Sequence, residues 1–137
     1  MPCPEPPSTI ADPTEQLEWA GSELAGVEAD GPGALTIRLS SARVWRQGVP
    51  GYWPGWRLRL DGATVQAHDG PLIGAIAEGQ WSPADGTAQV RWAWRHSAPG
   101  MGLLTLRLQQ GGRLVVQAAS WSVQVPADCE WREDWHC

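Results

Sequence analysis

From Ser22 to Val125 the chain never sustains a 3.6-residue apolar period; it alternates in short runs that glycine-rich turns keep breaking. That pattern restricts it to an all-β fold of antiparallel strands. The runs predict about eight strands, over 22–29, 34–46, 55–61, 63–68, 71–81, 87–95, 102–110 and 113–125. Consecutive strands on short turns make a meander. Closure into a small up-and-down barrel, or folding into a two-sheet sandwich, would protect its edges. The short connections favour the barrel.

Each turn implies a register. Asp61-Gly62 as a two-residue hairpin loop sets Trp56 against Ala67, Leu58 against Val65 and Leu60 against Ala63. It also sorts Arg57 and Arg59 to the opposite face. Gly111-Gly112, read as a loop with a bulge, sets Leu108 against Leu114, Leu106 against Val116 and Leu104 against Ala118. The Asp30–Ala34 turn sets Ala29 against Leu35, Val27 against Ile37 and Ala25 against Leu39. The turn at Ser82–Thr87 sets Trp81 against Ala88, Gly79 against Val90, Ala77 against Trp92 and Ala75 against Trp94. The apolar phase changes at Ser40-Ser41 and at Ala118-Ala119, which predicts a bulge at each.

The ends read differently. Residues 1–16, with proline at four of the first seven positions, read as a flexible arm. They carry neither a basic start nor an apolar stretch, so the expected compartment is the cytoplasm. No apolar run approaches the ~20 residues of a membrane helix, and no membrane partner is expected. Residues 17–137 form one domain, in which 128–137 is a capping segment. Asp128 could start a short C-terminal helix whose Trp131 and Trp135 share a face and close one end of the barrel.

All ten basic residues are arginine; lysine, asparagine and phenylalanine are absent, and there are ten tryptophans. The residues used are those of GC-rich codons, which points to a high-GC, bacterial genome. Tryptophan therefore fills aromatic core positions that phenylalanine fills elsewhere, and ten of them do not by themselves imply a sugar-binding platform.

The candidates for chemistry are sparse. Cys3, Cys129 and Cys137 show no paired metal or redox spacing. On a helical tail Cys129, Glu133 and His136 would share a face, with Cys137 adjacent, which makes a weak zinc set. No cofactor is otherwise implied. His68, His96 and His136 accompany no Gly-x-Ser-x-Gly motif. Asp61, Asp69 and Asp85 each precede glycine, as turns require. Glu78 lies inside an apolar run and is expected to point into the barrel, where a carboxylate would need an arginine or a raised pKa.

Charge is unevenly distributed. Residues 1–30 hold seven acids and no base, whereas 31–60 hold Arg38, Arg43, Arg46, Arg57 and Arg59 and no acid. Arg38, Arg57 and Arg59 should form one outer face, joined by Arg43 past the phase change. Either an acid such as Glu23 or Glu28 stands beside that face, or the face takes an anionic partner. The net charge of −5 argues against nucleic acid. The segment from Val49 to Trp56 reads as an aromatic loop in which Tyr52 and Trp53 are either exposed anchors or a plug that folds back to close the barrel mouth.

These features favour a non-enzymatic binding or protein-interaction module that uses Tyr52, Trp53, Arg38, Arg57 and Arg59. The alternative is a barrel that holds a small apolar or anionic ligand in its interior. An enzyme built on Glu78 or the His96 loop is the weakest of the three. A filled interior would favour the first, and an internal cavity of about 300 Å³ or more the second.

Overall fold

The computed structural model describes residues 15–84, 86–94, 100–125 and 131–133. It is all-β and antiparallel. The strands are β1 (Gln16–Ala29), β2 (Ala34–Arg46), β3 (Val49–Asp61), β4 (Thr64–Asp69) and β5 (Gly74–Pro83). They continue as β6 (Arg91–Trp92), β7 (Gly102–Leu108), β8 (Arg113–Ala118), β9 (Ser120–Gln124) and β10 (Arg132–Glu133). Residues 1–14 of the expected arm lie outside the described residues, while Glu15 and Gln16 already belong to the fold. No helix among the described residues is long and apolar enough to cross a membrane.

β2 and β3 form the longest hairpin, paired without a shift from Ala34 opposite Asp61 to Arg46 opposite Val49. Its loop is Gln47-Gly48, with φ of 53° and 81°. Two successive positive φ values are what a two-residue loop needs to match the twist of its strands. Val49–Trp56 is thus strand rather than loop.

Asp61-Gly62, in contrast, does not close a hairpin. β3 and β4 run on as one bent strand along β9 and β8, in unbroken register from Arg57 opposite Gln124 to Val65 opposite Val116. Gly62 lies at the bend, where a Cβ would come 2.7 Å from that of Ala119. Ala118-Ala119, expected as a bulge, is the matching bend in the other strand; the Ala119 N–H donates to the Asp61 carbonyl at 2.9 Å. Leu58 therefore pairs with Ile37 and Val123, not with Val65.

β1 pairs with β2, β5 and β6, β5 with β7, and β7 with β8, so the sheet curls into a barrel-like wall. Several expected registers change. Val27 opposite Ile37 and Ala29 opposite Leu35 hold, but a shift between Leu24 and Gly26 puts Leu24, not Ala25, opposite Leu39. Leu106 faces Leu114 and Leu104 faces Val116, two residues from the expected pairing. A two-residue slip keeps every side chain on its face, so the pattern alone could not detect it. Trp81 bridges Gln89 instead of Ala88, and Trp92 leaves β5 to pair with Leu17 of β1.

The phase change at Ser40-Ser41 has its register shift in β1. From Glu18 opposite Arg43 to Glu23 opposite Ser41, β1 advances five residues while β2 advances two. Gly21 turns the chain there with φ of 91°. Buried Ser22 replaces the missing ladder bonds: its Oγ donates to the Glu18 carbonyl at 2.7 Å and accepts from the Arg43 N–H at 2.8 Å.

The interior is occupied by indoles. Trp19, Trp56, Trp81, Trp92, Trp94 and Trp121 are all buried. Trp92 stacks on Trp19 at 5.8 Å and meets Trp121 edge-on at 4.5 Å. Trp56 meets Trp94 edge-on at 4.9 Å. Among the described residues the buried Nε1 groups of Trp19, Trp56, Trp92 and Trp121 find no hydrogen-bond acceptor. Trp56 and Trp94, and Trp92 and Trp121, pack edge-on, which sets a positive ring edge against a negative ring face.

The expected C-terminal helix is replaced, at Arg132–Glu133, by a strand on β3. The packing of Trp131 decides this. Its ring lies over Gly51, where a Cβ would collide with it, and its Nε1 donates to the Val44 carbonyl at 2.8 Å. Trp135 lies outside the described residues.

Candidate functional site

Period-2 alternation buries Trp56, Leu58 and Leu60 and turns Arg57 and Arg59 outward. Arg38 of β2 lies directly opposite Arg57 of β3, and Arg57 lies opposite Gln124 of β9. The sheet thus holds two guanidinium-bearing residues side by side on one face, an arrangement that is unfavourable unless an anion intervenes.

Acids neutralise part of this face. Arg38 Nε lies 3.1 Å from Glu28 Oε2, an ion pair whose angle does not make a hydrogen bond. Arg59 reaches Asp30 at 2.7 Å and Asp61 at 3.0 Å. The hydrogen bond to Asp61, with the charges of Asp61 and Asp30, raises the Arg59 pKa above its usual value. Glu23 instead accepts a hydrogen bond from Ser40 at 2.7 Å. Arg57 is exposed and has no carboxylate within ion-pair distance among the described residues. It borders a groove of about 940 Å³, lined also by Arg38, Ser40, Trp56, Gln124 and Val125.

Tyr52 and Trp53 are not loop anchors. Both are strand residues in β3 and both are half-buried. The Tyr52 hydroxyl accepts from Arg43 Nη1 at 2.9 Å, and Trp53 packs edge-on to Trp56 at 5.8 Å. The five sequence-predicted residues therefore do not form one site. Arg38 and Arg57 come together at the groove, Arg59 is held by acids beside it, and Tyr52 belongs to a second cluster around Arg43.

Sequence reasoning missed that second cluster. Arg91, Glu18, Arg43, Tyr52 and Arg132 occupy one cross-strand row over β6, β1, β2, β3 and β10. Glu18 Oε1 accepts from Arg43 Nε at 3.0 Å and from Trp45 Nε1 at 2.8 Å. The Arg91 guanidinium lies 3.7 Å from the Trp45 ring centre. Burial pulls the Arg43 pKa down, but Tyr52 and Glu18 outweigh it and raise the value. Glu18, Arg43, Tyr52 and Trp45 bond one another, Arg91 lies over the Trp45 ring, and the row crosses five strands.

Among the described residues the other polar candidates are not gathered into a catalytic constellation. Glu78 points outward, 67% exposed, and pairs with Arg107 at 2.8 Å. A register shift between Ile76 and Glu78 moves the two residues to opposite faces, which overturns the expected interior position. The buried carboxylate is Glu15, 2% exposed and 3.2 Å from Arg46 Nε. Its place in the proline-rich segment hid it. His68 is exposed, and His96 lies outside the described residues. Cys3, Cys129, His136 and Cys137 also lie outside them, and Glu133 pairs with Gly51 in a strand. Among the described residues no three His, Cys, Asp or Glu side chains stand close enough to hold a metal.

No family model matches the chain, and comparison with curated proteins and with solved structures also finds no match.

Proposed function

We propose that this protein is a non-enzymatic binding module that takes an acidic segment of a partner protein on the outer face of β2 and β3. The observation that carries the reading is the opposed pair of Arg38 and Arg57 above the groove. One member is held by Glu28, while the other lacks an acid among the described residues. A carboxylate between them would relieve the repulsion and accept both guanidinium forks. Gln124 supplies a neutral hydrogen-bonding group at the same groove, where the Ser40 hydroxyl is already engaged by Glu23. The tryptophan-filled interior gives the alternative, a ligand held inside the barrel, less support.

A glutamate-rich peptide titrated by calorimetry at low ionic strength tests this. Arg57→Glu should weaken binding about tenfold, and salt near 0.5 M should weaken it further. Arg59→Glu should have a smaller effect, because Asp30 and Asp61 already neutralise Arg59. Binding that is absent, or indifferent to Arg57→Glu, would sink the reading.

A further inference from the structure

A second opposed arginine pair occurs on β7 and β8, where Arg107 lies opposite Arg113. The same row continues to Glu78 on β5 and Asp69 on β4. Arg107 Nη2 is 2.8 Å from Glu78 Oε2. Arg113 makes no ion pair among the described residues; Asp69, its register partner, is not within ion-pair distance. Beside this pair is a hollow of about 360 Å³, bordered also by Glu18, Gln80 and Thr105. Ala20, Ala77 and Gly79 line it with small groups, and Val90, 61% exposed, adds an apolar side.

Gly79 is small for a reason on the inner face, since Trp19 fills the space a Cβ would need. Ala20 and Ala77, with Gly79, leave room outside the wall. The volume is at the lower end for small-molecule sites. The charges select among anions. Glu18 is engaged by Arg43 and Trp45, and Glu78 by Arg107, so one guanidinium remains. One cation among two carboxylates suits a monoanion. A phosphate dianion would bring surplus negative charge next to Glu18 and Glu78.

We propose that this hollow binds a small carboxylate with a short apolar body. The carboxylate takes the Arg113 fork, and the body lies over Ala20, Ala77 and Val90. The site shares no residue with the Arg38–Arg57 groove, so the two proposals stand or fall separately.

The test is a titration of the ¹⁵N-labelled full chain with hexanoate, acetate and inorganic phosphate, followed by NMR. Hexanoate should shift the amides of Ala77, Val90 and Thr105 and bind about tenfold more tightly than acetate or phosphate. Arg113→Gln should weaken hexanoate about tenfold, and Arg57→Gln should leave it unchanged. Ala77→Leu, which fills the hollow while keeping Arg113, should abolish the preference for hexanoate over acetate. Equal binding of hexanoate and acetate would overturn the proposal. So would hexanoate affinity that survives Arg113→Gln, or shifts confined to other amides.

Discussion

Three tryptophans lie against glycines. Trp19 occupies the space a side chain would need at Gly79, Trp81 that at Gly102, and Trp131 that at Gly51. Side chains approach this closely only where the facing backbone carries no Cβ, so each glycine is a packing residue. Gly79→Ala and Gly102→Ala should each destabilise by about 1–3 kcal/mol, from overpacking. Thermal unfolding should show this as a loss of roughly 4 °C per kcal/mol at this chain length. At Gly51 an added methyl group would strike both the Trp131 ring and the Arg132 carbonyl. Gly51→Ala should therefore free the last strand as well as lower the melting temperature, and the β10 amides would lose protection from hydrogen exchange. Unchanged melting in all three variants would refute the packing role.

At the scale of elements, the last strand supplies what the opening and closing ends of the wall need. Trp131 covers Gly51, bonds the Val44 carbonyl and receives the Arg46 guanidinium 5.2 Å from its ring centre. Arg46 in turn meets buried Glu15. Trp131→Ala should cost about 2 kcal/mol, less than for a fully buried tryptophan because its ring is half-buried. Urea denaturation would measure this, and a shift below about 0.5 kcal/mol would show that the segment adds little. The elements also show how far the chain could be read. Alternation identified which residues of β3, β7 and β8 face inward, because period 2 is written directly in Trp56, Leu58, Leu60, Leu104, Leu106 and Leu114. It did not identify their partners. Leu58 finds an apolar neighbour in Val65, Ile37 or Val123 alike, so the pattern leaves several registers open. Turn chemistry misled at that point: Asp61-Gly62 carries the stronger hairpin signal, yet the chain turns at Gln47-Gly48. The candidate site was legible only in part. The outward alternation of Arg57 and Arg59 was visible, but the opposition of Arg38 and Arg57 depends on the Gln47-Gly48 turn.

Across the whole molecule, charges segregated along the chain are interleaved in space. The acidic residues of β1 and its flanking residues meet the arginines of β2 and β3 in Glu15–Arg46, Glu18–Arg43, Glu28–Arg38 and Asp30–Arg59. The seven acids without a base in residues 1–30 are in large part counterions for the basic segment that follows. Of these pairs Glu28–Arg38 and Asp30–Arg59 are open to solvent and screened by salt, so raising salt to 0.5 M should change the melting temperature by no more than a few degrees. A larger fall would mean that the pairs act as a coupled network. Topology bears on kinetics. β3 cannot complete its edge until β9 arrives from far along the chain, and β1 must await β5 and β6. Refolding should therefore take milliseconds to seconds, as for other non-local β-folds, and stopped-flow fluorescence would measure it.

The indoles packed across the interior also give the protein a built-in optical signature. Trp92 contacts Trp19, Trp81 and Trp121 at ring separations of 4.5–5.8 Å. At such separations electronic transitions mix, so an excitation belongs to several rings at once and acquires the handedness of their arrangement. The folded chain should show a split band of opposite signs near the strong indole absorption in circular dichroism. Removing Trp92 alone should collapse most of it. Ligands that dock on the outer wall should leave that band unchanged, whereas any event that separates the walls should extinguish it, which would let one spectrum distinguish surface binding from opening of the fold.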